Sequence, residues 1–229
     1  MGRHRIEGNP PIEVTLRRSA RAKRLSLRVS RLDGRVTLTL PQRLPEREGL
    51  AFLHSREDWL RGHLEEMAPA HLVRPGGTVP FEGRDLAVRA AGVRRARLLP
   101  DEILVPQGAV AGALVRVLLK AAARDRFAAA SDHYATVLGL TYARLSLRDT
   151  RSRWGSCTSQ GALMYSWRLV MAPPPVLQYV AAHEVAHLVE MNHSAAFWEI
   201  VAQLYPDHAA CRRWLRENGD RLHRVQFGD

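Results

Sequence analysis

At 229 residues and 46% hydrophobic content, the chain has material for one sizeable core or two small ones. Its two cysteines, Cys157 and Cys211, are far apart and form no Cys-x-x-Cys pair, which excludes a disulfide framework and a cysteine zinc cluster and makes a reducing cytoplasm the expected setting. A formal charge of +11 favours an anionic partner, such as nucleic acid or a nucleotide, or else a solvated arginine-rich surface.

The first residues are basic but lead into no apolar run, so no secretory signal is expected. Elsewhere apolar stretches are interrupted by arginine or proline well short of the roughly 20 residues a membrane span requires, so a soluble protein without membrane contact is expected. Residues 12–40 alternate in polarity, with Leu25, Leu27, Val29 and Val36, Leu38, Leu40 flanking an Asp33-Gly34 turn, the pattern of a hairpin. Arg24, Arg28 and Arg35 occupy its other face, and Arg17, Arg18, Arg21 and Lys23 lie just upstream. That edge is either a solvated sheet face or a surface for nucleic acid or a nucleotide.

Residues 46–66, with Leu50, Phe52, Leu53, Trp59, Leu60 and Leu64, predict a helix, and "RPGGTVPFEGRDLAVR" predicts turns and short strands. From Val110 to Leu138 the spacing is helical and Gly139 offers a stop. "YARLSLRDTRSRWGSCTSQGALMYSWRLVMAPPP" predicts strands joined by a glycine-containing turn, after which Pro175 suits the first turn of a helix. That helix, taken as amphipathic, carries "HEVAHLVEMNH", residues 183–193. A further helix holds Phe197, Trp198, Val201 and Leu204, and Asp207 can cap a last one ending near Gly219.

His183 and His187 are one helical turn apart, so their imidazoles can grip one ion, and Glu184 points beside them. In such a pattern the glutamate takes a proton from a metal-acidified water and does not bind the metal. An open tetrahedral site needs a third protein ligand. His193 is the first candidate, at a spacing that works if the chain reverses after Glu190, with Asn192 able to supply a left-handed residue; Glu199 and Glu217 are the alternatives. The "SRWGSC" and "YSWRL" stretches offer a strand edge for an extended substrate, with Trp154 and Trp167 equally suited to core packing. Arg153, Tyr165, Tyr179 and His208 are candidate donors to substrate or to a reaction oxyanion.

These motifs, in order "RRSARAKRLSLRV", "DWLRGHL", "LSLRDTRSRWGSC", "WRLVMAP", "YVAAHEVAHLVEMNHSAAFW" and "WLRENG", resemble the YgjP-like metallopeptidases, a branch of the zincins related to SprT-like and WLM proteases. The resemblance implies an α+β fold: a β-rich N-terminal region, residues 1–108, followed by a compact zincin-like helical core with a small sheet, residues 109–229, or one continuous domain. It implies Zn2+ held by His183, His187 and His193, Glu184 as general base and acid, and a polypeptide substrate. The residues leave two rivals: a zinc hydrolase of nucleotides or other phosphate esters, and a nucleic-acid-associated protease docked through the basic hairpin.

Overall fold

Alternation of apolar and polar residues in the first seventy positions becomes a four-stranded sheet. The computed structural model describes residues 2–30, 34–65 and 71–228, and the chain divides into two compact units, one up to residue 70 and one from residue 71. In the first unit, β1 (Gly2–Ile6), β2 (Ile12–Ser19), β3 (Ser26–Val29) and β4 (Val36–Pro41) take the order β1-β2-β4-β3. β2 and β4 run parallel, while β3 and β4 form the expected hairpin with Val29 opposite Val36. Gly34, at φ 69°, donates its N–H to the Ser30 carbonyl at 2.8 Å, and Asp33 lies outside the described residues. Strand period two sends Val14, Leu16, Val36, Leu38 and Leu40 inward, and Arg17, Arg18, Arg24, Arg28 and Arg35 are exposed. Arg18 is already engaged: it donates to the carbonyls of Gln42 and Leu44 at 3.1 and 2.8 Å.

The single helix expected over 46–66 is two helices, α1 (Glu46–His54) and α2 (Glu57–Glu65). At the break the Ser55 hydroxyl donates back to the Phe52 carbonyl at 2.8 Å, competing with helix continuation. Leu53 and Leu60, one from each helix, are fully buried in this unit's core.

The second unit opens with β5 (His71–Leu72), β6 (Thr78–Phe81), β7 (Arg84–Ala91), β8 (Arg97–Leu98) and β9 (Glu102–Pro106); the last four make a sheet in the order β6-β7-β9-β8. The long helix α3 (Ala111–Leu138) ends where expected, on Gly139 at φ 67°, whose N–H caps the Ala135 and Thr136 carbonyls. Its buried stripe, Val115, Leu119, Ala122, Ala123, Phe127, Ala130 and Tyr134, follows helical spacing, and the alanines admit close neighbours. Next come β10 (Arg144–Arg148), β11 (Gly155–Cys157) and β12 (Ala162–Ser166), ordered β10-β12-β11, so β11 is an outer strand. A 3₁₀ turn (Trp167–Met171) leads to α4 (Pro174–Ala186), followed by α5 (Ala195–Leu204), α6 (His208–Arg224) and β13 (Val225–Gln226), which pairs with β5.

Two sequence expectations change here. α4 is not amphipathic: nine of its thirteen residues are buried, because α3, α5, α6 and β11 all pack on it. α6 does not stop near Gly219 but runs on to Arg224. Gly219 is instead a contact position, since a Cβ there would come within 2.8 Å of the Trp154 ring. No helix is long and apolar enough to cross a membrane among the described residues.

Arg168 ties three segments of this unit together. Its guanidinium makes two bonds to the Asp149 carboxylate, at 2.6 and 3.1 Å, and donates to the carbonyls of Leu222 and Val225 at 2.8 and 2.9 Å. Removing it leaves two carbonyls and a carboxylate without their donor, so Arg168→Ala should cost about 2–4 kcal/mol in urea unfolding. Arg168→Lys should recover less than half of that, because an ammonium lacks the planar fork that reaches all three partners.

Candidate metal centre

Pro174 and Pro175 occupy the first turn of α4, where an absent N–H costs nothing. From there the helical period lines up Tyr179, His183 and His187 at four-residue intervals on one face. α4 closes at His187, with the Glu190 N–H donating to the Ala186 carbonyl at 3.1 Å. His187 Nδ1 lies 2.9 Å from the Glu190 carbonyl oxygen. A carbonyl only accepts, so Nδ1 carries the proton and Nε2 keeps its lone pair.

The segment after His187 doubles back and delivers His193. Asn192 is not the left-handed residue expected to do this, since the sole positive φ at a non-glycine among the described residues is at Glu82. The Glu190 carboxylate supports the reversal, accepting from the Asn192 side-chain amide at 2.7 Å and from its backbone N–H at 3.4 Å. Ser194 then caps α5, its hydroxyl accepting the Phe197 N–H at 3.3 Å.

The three histidines converge: one ligand atom from each lies within 4.8 Å of the others. Nε2 of His183 and Nε2 of His193 are 3.1 Å apart. Two nitrogens bound to one tetrahedral ion at 2.0–2.1 Å would sit roughly 3.3 Å apart, so this spacing and the all-imidazole donor set fit a zinc-sized cation. Neither Glu199 nor Glu217 joins the cluster.

Phe197, fully buried, forms the floor of this tripod, with its ring centroid 4.4, 4.8 and 4.9 Å from those of His187, His193 and His183. Trp198 stands 5.7 Å from the His183 ring and 6.0 Å from the His193 ring, and Arg212 of α6 lies 4.9 Å above it. Sequence reasoning saw Phe197 and Trp198 only as helix core and missed Arg212. The available signal for Phe197 was its place in the first turn after the reversal, four positions beyond His193.

Burial and the adjacent rings push His183 down to about 3, and burial also lowers His187. Both stay neutral at pH 7 with lone pairs available for a metal. Glu184 is only 5% exposed, and burial lifts its carboxyl to about 8 against the opposing charge of Arg153. Its carboxyl packs on Gly155 of β11, where a Cβ would overlap it, so the glycine of "SRWGSC" makes room for this acid.

The other sequence candidates fall in different places. Arg153 is exposed yet close enough for its charge to act on Glu184. Tyr179 is buried with its ring 5.8 Å from that of His183. Tyr165 is fully buried, stacked on Phe127 at 4.1 Å, and its hydroxyl is 3.0 Å from Ser131 Oγ. His208 stacks on Trp198 at 5.8 Å and lies outside the tripod. Trp154 is half-buried between Gly219 and His223, and Trp167 lies in the core, so both tryptophans serve packing.

A family model described as "YgjP-like, metallopeptidase domain" matches residues 23–218. The chain belongs to the YgjP-like family of metallopeptidase domains. The histidine tripod of this YgjP-like chain lies within the matched residues. Among solved structures, the metallopeptidase zymogen of Pyrococcus abyssi abylysin is similar at 18% identity, over 40% of this chain and 93% of that one, with a TM-score of 0.36. Comparison with curated proteins gives no match.

Two outcomes follow from the YgjP-like tripod and its acid. Phe197→Leu keeps an apolar filler but removes the flat floor, so metal affinity measured by chelator competition should fall roughly ten-fold while the protein remains folded. For metal-free protein, a carboxyl raised from 4.5 to about 8 contributes stability that is present below 4.5 and is lost as pH rises toward 8. The lowered histidines His183, His187 and His223 act with the opposite sign while their unfolded forms lose protons around 6.5, so Glu184 is read from the difference between wild type and Glu184→Gln, in which the histidine contributions cancel, between pH 7 and 8. There the stability of the wild type relative to Glu184→Gln should fall by on the order of 1 kcal/mol per pH unit in denaturant titrations.

Proposed function

We propose that this metallopeptidase is zinc-dependent, with His183, His187 and His193 as the metal ligands and Glu184 as general base and acid. The carrying observation is the convergence of three imidazoles beside one buried carboxyl. Zinc bound there would supply Lewis acidity, lowering the pKa of a water toward about 7 and polarising the scissile carbonyl.

The chain's own groups divide the remaining work. His187 is held in its Nε2-ligating form by the Glu190 carbonyl. A Glu184 carboxylate oxygen takes the proton of the attacking water and returns it to the nitrogen of the departing amine. Its burial brings its affinity for a proton near neutrality, which suits a group that must both accept and donate. Arg153 and Tyr179 remain the candidate donors to the developing oxyanion, whereas the Tyr165 hydroxyl is occupied by Ser131. Substrate polypeptide would lie along the outer edge of β11, the strand that holds Gly155 against Glu184. The free thiols Cys157 and Cys211 favour a reducing, cytoplasmic setting.

Glu184→Gln should keep zinc at wild-type stoichiometry and lose at least 10³-fold in kcat on casein or peptide substrates, while His187→Ala should lose both metal and turnover. Full turnover by the glutamine variant would remove the proton-transfer role. Phosphate release from nucleoside triphosphates without peptide cleavage would transfer the site to a different reaction.

A further inference from the structure

Beside the tripod, on the side of His187, a cavity of about 410 Å³ opens to solvent. Its walls come from three places: the α3–β10 connection, the turn between β11 and β12, and the end of α4. Leu140, Tyr142, Ala143, Leu188 and Met191 make the apolar lining, and Thr141, Thr158, Ser159 and Gln160 give uncharged polar edges. Among the described residues, no Asp, Glu, Lys or Arg lines it, in a chain whose charged residues are 25% of the total.

Two of these walls are large apolar side chains left in water, Leu140 at 37% and Met191 at 50% exposure. The Tyr142 hydroxyl donates to Asp132 at 2.6 Å, so this residue has its polar end satisfied without drawing on the cavity. Exposed apolar residues facing one concavity mark a place where another apolar group is received.

The cavity is in line with β11. Gly155, at one end of that strand, contacts Glu184, and Thr158, just past the other end, is on the cavity wall. Among the described residues β11 pairs only with β12, leaving its outer edge open. The cavity wall reaches from His187 of the tripod to Thr158, three residues along from Gly155, and an extended peptide advances about 3.3 Å per residue, so a side chain entering the cavity belongs to a residue within three positions of the bond at Glu184.

We infer that this cavity is a specificity pocket and that it selects polypeptides carrying an uncharged apolar side chain, of leucine or phenylalanine size, within three positions of the bond cleaved. A charged side chain would have to give up water in a pocket with no partner for it, whereas an apolar one covers Leu140 and Met191. The inference rests on the peptidase reading above, and binding separates the two.

The test measures fluorescence anisotropy of labelled Gly-Gly-Ala-X-Ala-Gly-Gly peptides, with X as Leu, Phe, Lys, Asp or Gly, on zinc-loaded Glu184→Gln protein. Leu and Phe peptides should bind at least ten-fold more tightly than the Lys and Asp peptides. Thr141→Glu, placed in the wall far in sequence from the histidines, should weaken Leu binding and improve Lys binding, each by about ten-fold. Five peptides binding within two-fold of one another, no binding, or a ranking unmoved by Thr141→Glu would overturn the pocket. A retained ranking with no cleavage by the wild type would support the pocket while ending the peptidase reading; cleavage with a flat ranking would do the reverse.

Discussion

The chain reversal between His187 and His193 is the constraint on which the site depends. A helix can present His183 and His187 from one face, but it cannot bring a residue six positions later to the same point. The Glu190 residue addresses this twice. Its carbonyl accepts a hydrogen bond from His187 Nδ1–H, fixing that ring's tautomer, and its carboxylate holds Asn192 as the chain turns. Ser194 then starts α5 at once, which brings Phe197 beneath all three imidazoles. One short segment therefore sets the protonation of His187, the position of His193 and the packing of Phe197 beneath the three rings.

Burial sets the electrostatics of the same place. α4 is enclosed by α3, α5, α6 and β11, and so its two histidines are kept neutral and its glutamate is kept short of full ionisation near pH 7. The opposing influence on Glu184 is Arg153, from the loop just before β11. The glycine two positions on, Gly155, lets the carboxyl lie against strand backbone. The enclosed helix and the outer strand thus meet at one point: the helix carries the two histidines and the glutamate, and the strand gives the carboxyl its space.

Much of this was legible in the residues. Leu27, Val29, Val36 and Leu38 alternate because strands do, and α3 ends on Gly139 because a left-handed residue caps it. The His-Glu-x-x-His spacing names a helical face whatever packs around it. Most of what escaped depends on contacts distant in sequence. Gly219 looks like a helix stop but sits mid-helix because Trp154, 65 positions earlier, presses on it. The break at Ser55 follows from a hydroxyl returning to its own backbone. Arg212 reaches the site only because α6 packs on α4, which no local pattern encodes.

The central claim is that three imidazoles form one metal site with the donor atoms already assigned. Crystals grown with one equivalent of zinc and measured on both sides of the zinc absorption edge test it most directly. A single anomalous peak within about 2.0–2.1 Å of Nε2 on His183, His187 and His193 is the result predicted. A peak elsewhere, none at all, or ligation of His187 through Nδ1 would contradict it.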